Sequence, residues 1–396
     1  MTTQLVRSTR RRSLAAVTVL GVGCAVAIPV GSAGAAPAGV KTAGLQTAAA
    51  CTPAQVLQKM SLPQIVGQLF MVGTPATGAD ATALASIGQR HIGNVMLTGR
   101  SYGGTSVPAA TAARFRGQVN ASSTAGVGLL MSTDQEGGYV QVLQGSGIDR
   151  MPTALVQGTW ATATLQSSAA RWAGQLKASG VNMNLAPVAD TVPPGTGVNP
   201  PIGAYDREYA RSTDPVKAAT GAVIRGMQGQ GVATTAKHFP GLGVVSANTD
   251  TTVNVVDNVT TKTSSFINPF TNASAQGVQA IMMSSARYAK IDNSQLAVFS
   301  PAIISWLRSL GFTGVVMTDD IGNAKAVSPY SPAFRAIKAV VSGVDLMLTV
   351  NPSLVGQMYD AVLARAKTDA WFQGRVRASA GKVLALKQKH GLLGTC

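Results

Sequence analysis

Short apolar runs alternate with longer amphipathic ones from Leu69 almost to the C-terminus, and this rhythm limits the possible folds of the 396-residue chain most strongly. The strand candidates are Gln68–Gly73, Asn94–Leu97, Leu129–Thr133, Asn182–Pro187, Ala233–Lys237, Ala280–Ser284, Val315–Thr318 and Asp345–Thr349. None shows the in–out alternation of a sheet with one wet face, so they read as parallel strands covered on both sides. Helical patterns lie between them, among them Thr162–Ser179, Pro215–Gln230, Pro301–Leu310 and Pro332–Ser342, with a closing helix from Trp371 to Leu393. Ser300-Pro301 and Asp214-Pro215 each place a capping side chain ahead of a first-turn proline. Eight strand–helix pairs in about 330 residues fit a single (β/α)8 TIM-type barrel. A doubly wound open sheet is the second choice, because no Gly-rich phosphate loop follows the first strand.

The N-terminus belongs to a different class of segment. Arg7, Arg10, Arg11 and Arg12 precede an uncharged apolar stretch from Leu14 to Val30, and Ala33-Gly34-Ala35 offers an A-x-A cleavage site. Residues 1–35 therefore read as a secretory signal peptide, and the Ala/Gly-rich stretch Ala36–Ala50 as a flexible leader. A membrane anchor would need about 20 apolar residues and a stop-transfer flank. The three consecutive Arg suit a twin-arginine signal only loosely, so Sec and Tat export both stay open. Cys24 follows Gly21-Val22-Gly23, a poor lipobox, which favours free export over a lipid anchor.

Cleavage would remove four Arg and no acid, lowering the net charge from +16 to +12. An exported protein this basic suits an anionic cell-wall surface. Nucleic acid is disfavoured, since no helix gathers a Lys/Arg stripe interleaved with aromatics. Cys51 and Cys396 remain near the two ends of the mature chain, and an oxidising compartment leads us to expect them paired rather than free. A monomer is the default expectation for oligomeric state.

The polar residues gather at strand ends. Asp134-Gln135-Glu136-Gly137-Gly138 follows the third strand, Asp190 the fourth, Lys237-His238-Phe239-Pro240-Gly241 closes the fifth, and Thr318-Asp319-Asp320 ends the seventh. In a (β/α)8 barrel these ends converge on one mouth. The chain has only sixteen carboxylates and three His, so four polar clusters at one rim exceed what solvation requires. Two carboxylates facing each other across a sugar ring are the machinery of glycoside hydrolysis. Three scattered His without H-E-x-x-H argue against a zinc hydrolase, and the missing G-x-S-x-G elbow and P-loop argue against a serine triad and phosphoryl transfer. Asp134 and Asp320 could instead be helix N-caps, Asp190 a loop brace, and His238 a structural histidine.

These motifs together resemble glycoside hydrolase family 3, in particular its single-domain β-N-acetylglucosaminidases that process peptidoglycan fragments. The resemblance runs from Ser61-Leu62 and Gly67-Gln68-Leu69 to about Gly381-Lys382. It implies Asp319 as catalytic nucleophile, Asp134 as reader of the sugar's outer hydroxyls, and Arg207, Lys237 and His238 as substrate-binding residues. It implies no metal or organic cofactor.

The chain also departs from that pattern. The family continues K-H-F-P-G-H-G and then a short loop to D-S-H, whose His is the acid/base. Here Leu242 replaces the first His, and Asn248-Thr249-Asp250 stands where D-S-H belongs. Tyr139 and Val142 occupy the places of two family arginines, and Ser285 stands near a His often seen after the sixth strand. Either Asp250 serves as the acid/base in the His position, or proton transfer is lost and the barrel only binds glycans or muropeptides. The first reading gives a retaining β-glycosidase for β-linked N-acetylhexosaminides, with Asp250 held protonated by burial or by Asp319.

Overall fold

The computed structural model describes residues 51–396, so the signal peptide (1–35) and leader (36–50) expected from sequence lie outside the described residues. Eight parallel strands close into a barrel: β1 (Phe70–Pro75), β2 (Asn94–Thr98), β3 (Leu130–Thr133), β4 (Met183–Asn184), β5 (Ala233–Phe239), β6 (Ala280–Met283), β7 (Val315–Asp320) and β8 (Leu346–Thr349). Each strand pairs with its sequence neighbours, and β1 closes the ring on β8. The fold is therefore the (β/α)8 barrel expected from the sequence rhythm.

Two cores hold it together. Inside the lumen, Met71, Met96, Met183, Met282 and Met317 pack among Leu130, Leu185, Leu346 and Leu348. The unbranched, flexible methionines adapt to the gaps left between these leucines. The larger core lies between the strands and the surrounding helices. Val383 and Leu386 of the last helix, Ala370–Lys389, reach the lumen cluster and close the floor. Cys51 is bonded to Cys396, with Cα atoms 4.9 Å apart, which ties the first described residue to the end of the chain.

The helices begin largely where capping chemistry places them. Ser300 accepts a hydrogen bond from the Ile303 N–H ahead of Pro301, and Ser331 caps Pro332–Ser342. Asp214 is not a cap, contrary to its Asp-Pro signal. That helix runs Thr213–Gly229 with Ser212 at its N-cap, and Asp214 pairs with Lys217 inside the first turn. Pro215 still fits there, because the first-turn N–H groups have no intrahelical acceptor to lose. The fourth strand is shorter than Asn182–Pro187. Beyond Asn184 the chain leaves regular pairing, though Val188 still bridges to Lys237.

Candidate active site

The C-terminal ends of the strands enclose a cavity of about 400 Å³, and Asp134, Arg207, Lys237, His238, Asp250 and Asp319 all line it. Every site residue proposed from sequence is thus brought to one mouth. Asp134 immediately follows β3, Lys237 and His238 lie in the last three residues of β5, and Asp319 is the penultimate residue of β7. Arg207 comes from the segment after the short 3-10 turn Gly203–Tyr205, and Asp250 from the loop after β5.

One wall is a network of buried charges. Lys237 Nζ donates to Asp134 Oδ1 and lies equally close to Glu136 Oε1, both at 2.6 Å. Arg207 grips Glu136 with two parallel bonds of 2.9 Å, Nε to Oε2 and Nη2 to Oε1. Burial would raise the Glu136 carboxyl, but Arg207 and then Lys237 outweigh it and hold it at about 2. Burial would likewise discharge Lys237, yet Asp134 and Glu136 keep its ammonium above the ordinary lysine value. The wall is fixed, charged and already hydrogen-bonded, so a ligand's hydroxyls meet donors that need no reorganisation.

The opposite wall carries the nucleophile candidate. Asp190, fully buried, accepts from the backbone N–H of His238 and of Leu242, and from His238 Nδ1 at 2.7 Å. A carboxylate only accepts, so the imidazole proton sits on Nδ1 and Nε2 points away toward Asp319, 4.0 Å from its Oδ2. Asp319 accepts from the N–H of Asp320. Asp320 also borders the cavity, but its carboxylate is engaged by the chain, accepting from the N–H groups of Gly322, Asn323 and Val350. Neither Asp134 nor Asp320 is a helix N-cap, because Asp134 leads into the hairpin strand Gln135–Gly137 and Asp320 braces a loop.

Asp250 completes the mouth. Main-chain bonds fasten its loop to the turn beyond β7: the Lys325 N–H donates to the Asp250 carbonyl (3.1 Å) and the Ala326 N–H to the Thr249 carbonyl (2.9 Å). Its carboxyl is pushed up to about 6, first by loss of surrounding water and then by Asp319, against the opposing pull of His238 and Arg207. The residue remains exposed at the rim, open to proton exchange with solvent. A carboxyl of raised proton affinity, Asp250, sharing one cavity with a second carboxyl, Asp319, is the pairing that acid–nucleophile chemistry uses.

Residues 61–386 match the model of the glycosyl hydrolase family 3 N terminal domain. The chain belongs to glycosyl hydrolase family 3. The β-N-acetylhexosaminidase of Beutenbergia cavernae DSM 12333 is 46% identical and superposes with a TM-score of 0.82, covering 83% of this chain and 99% of that one. A family 3 β-N-acetylglucosaminidase from Paenibacillus sp. str. FPU-7 is 30% identical with a TM-score of 0.77, covering 85% of this chain and 64% of that one. A beta-hexosaminidase of Stenotrophomonas maltophilia (strain K279a) is 33% identical over 262 residues, 62% of this chain and 74% of that protein.

Within this family 3 barrel, sequence reasoning assigned no role to Glu136, which stands at the centre of the charged wall. The signal was present: of two glutamates in the chain, one lies two residues after Asp134. Asp190 is the loop brace considered from sequence, and it also fixes the His238 ring. Leu242, at the family's first missing histidine, is buried, and its carbonyl accepts from Asn199 Nδ2. Ser285, near the other missing histidine, is also buried. Among the described residues no group of three or more His, Cys, Asp and Glu is placed to hold a metal, and no helix is long and apolar enough to cross a membrane.

Proposed function

We propose that this glycoside hydrolase is an exported, retaining β-N-acetylhexosaminidase acting on β-linked amino-sugar glycans derived from the cell wall. The arrangement that carries the reading is Asp319 and Asp250 on one cavity facing the Asp134–Lys237–Glu136–Arg207 wall. The substrate class is supported by the relatives named above, which are β-N-acetylhexosaminidases and β-N-acetylglucosaminidases.

The charged wall and His238 hold the ring through its hydroxyls. Asp319 attacks the anomeric carbon while Asp250 gives its proton to the departing oxygen, leaving a glycosyl-enzyme ester. Asp250, now ionised, takes a proton from water, which attacks the same carbon and frees Asp319. Asp250 thus replaces the histidine of the family pattern, and its raised proton affinity suits the donor step. Export is supported by the N-terminal sequence and by the Cys51–Cys396 bridge, and the +12 charge of the processed chain suits an anionic wall.

The test is release of 4-nitrophenol from its β-N-acetylglucosaminide, alongside cleavage of an unactivated disaccharide. Turnover by the wild type that Asp319→Ala abolishes is expected; equal rates from the two proteins would leave a barrel that only binds glycans. Asp250→Asn should lose about 10²–10⁴ in rate on the disaccharide and less on the activated substrate, whose leaving group needs little proton help. Above pH about 6 the wild-type kcat/KM on the disaccharide should fall, because Asp250 then loses the proton it must donate. Disaccharide turnover by Asp250→Asn at the wild-type rate would assign the proton to another group.

A further inference from the structure

The floor of the barrel, the face opposite the mouth, is hollowed too, and there the lining is cationic. One hollow of about 370 Å³ lies beneath β4 and β5, where Val181, Asn182 and Gly231 lead into the strands; Arg116, Lys177, Lys389 and His390 line the rest of it. A second, of about 590 Å³, lies beneath β6 and β7, with Gln279 and Gly314 ahead of the strands and Lys382 and Lys389 on the last helix. The two hollows meet at Lys389. Among the described residues no carboxylate lines either of them, whereas Asp134, Asp250, Asp319 and Asp320 line the mouth.

Helix ends explain only part of this. Arg116, Lys177 and Lys389 each sit in the last turn of a helix (Ser106–Arg116, Thr162–Ala178 and Ala370–Lys389), where a cation offsets the negative end of the dipole. At about half a charge per helix end, the three ends cancel roughly half of the three cations. The side chains are held at the hollows rather than merely near them. Arg116 Nη2 donates to the Gly180 carbonyl at 2.6 Å, which fixes the guanidinium and leaves N–H groups for a ligand. Around the second hollow, Asp345 is fully buried and already shared by Arg308 (Nη2 to Oδ2, 2.5 Å) and Arg375 (Nη2 to Oδ1, 3.2 Å). Lys382 donates instead to the Thr313 carbonyl at 3.1 Å, and its ammonium is held below the ordinary lysine value by burial and then by Arg308. An anion placed here meets cations that no neighbouring acid has neutralised.

We propose that this floor groove, running from Arg116 and Lys177 past Lys389 to Lys382, docks a phosphodiester polymer of the cell wall. Two hollows joined at a shared cation fit a chain of repeating charge, whereas a single anion would fill only one. Each phosphodiester offers two free oxygens, which suit the paired donors of a guanidinium and the point charges of the lysines. The wall polymer as occupant rests on the export reading above; the groove itself does not. Docking on the floor leaves the mouth open on the opposite face, so the protein can stay on the wall while glycan ends enter the cavity.

The experiment titrates the purified protein with poly(glycerol phosphate) in a calorimeter at about 0.1 M salt, beside inorganic phosphate, poly-L-glutamate and single-stranded DNA. The phosphodiester polymer is expected to bind most tightly. Lys177→Ala/Lys389→Ala should weaken its binding on the order of tenfold. A control, Lys262→Ala/Lys290→Ala, removes two exposed cations from the loops that follow β5 and β6, and should change it by no more than about twofold. Equal weakening by both pairs would reduce the groove to net charge and overturn the site. Tighter binding of poly-L-glutamate or DNA would overturn the phosphodiester wall polymer, and inorganic phosphate binding as tightly as the polymer would overturn docking of a chain. Release of 4-nitrophenol from its β-N-acetylglucosaminide should be unchanged in both variants. The two readings fail separately: turnover without polymer binding rejects the groove alone, and polymer binding without turnover rejects the glycosidase alone.

Discussion

Two lysines are buried in this barrel, one at each end of the lumen, and they are solvated in opposite ways. Lys237 at the mouth lies 2.6 Å from two carboxylates, Asp134 and Glu136, and stays charged above the ordinary lysine range although burial opposes it. Lys387 at the floor is fully buried, and the acceptors it meets are neutral: Gln68 Oε1 at 2.6 Å and the Gly93 carbonyl at 2.8 Å. Burial pushes it down to about 7. A cation with paired counter-charges is a fixed tool, whereas one with carbonyl partners is a plug whose charge depends on pH. The mouth spends its carboxylates on a site and the floor does not, which is the division of labour between the two faces of such barrels.

The largest effect is expected from breaking the mouth. Lys237→Met leaves Asp134 and Glu136 facing each other with only Arg207 between them and the solvent-shielded wall. The expected loss in kcat/KM is about 10³, or about 4 kcal/mol, measured with the aryl glycoside; a loss under tenfold would show that the wall does not grip the reacting sugar. At the floor, Lys387→Met should leave kcat/KM unchanged and alter the pH dependence of stability instead. The unfolded lysine titrates near 10.4 and the folded one near 7, so between these values the unfolded chain binds more protons and wild-type stability rises with pH. The rise amounts to on the order of 4 kcal/mol across that window and is absent from the variant. Parallel urea-denaturation curves for the two proteins from pH 7 to 10 would contradict it.

Cys396→Ser tests a covalent tie on the floor side. It should cost about 2–4 kcal/mol of stability through the freed unfolded chain and leave turnover intact. A lower melting temperature with unchanged kcat is the expected pair of readings, and an unaltered melting temperature would refute the bridge's contribution. The smallest effect is expected from Asp190→Asn, which keeps the bracing shape but weakens the hold on His238 Nδ1. A fall in kcat of about tenfold with little change in unfolding is expected. A melting temperature that falls while kcat holds would make Asp190 a brace alone.

How much of this was legible in sequence follows from what each residue contacts. Lys237, His238 and Asp319 stood out because each interrupts an apolar run at a strand end, and such runs can only be barrel strands. Glu136 and Asp190 act on other side chains more than 45 residues away, through pairings that no local pattern records. Asp214 misled because an Asp-Pro pair fits a cap and a first turn equally well. Lys387 had a signal that passed unread: it falls at helical spacing on the apolar stripe of Val376, Ala380, Val383 and Leu384, where a cation must be buried. Leu242 and the Asn248–Asp250 run announced a changed acid loop, but only the fold shows where that loop is fastened.

That fastening has a consequence for how such a site can change. The clamp between Thr249-Asp250 and Lys325-Ala326 is made by peptide groups alone, so it is indifferent to the side chain carried at position 250. The loop works as a socket whose fitting can be exchanged while its seat stays put. A lineage, or a protein engineer installing histidine there, can trade one proton carrier for another in a single substitution without rebuilding the mouth around it.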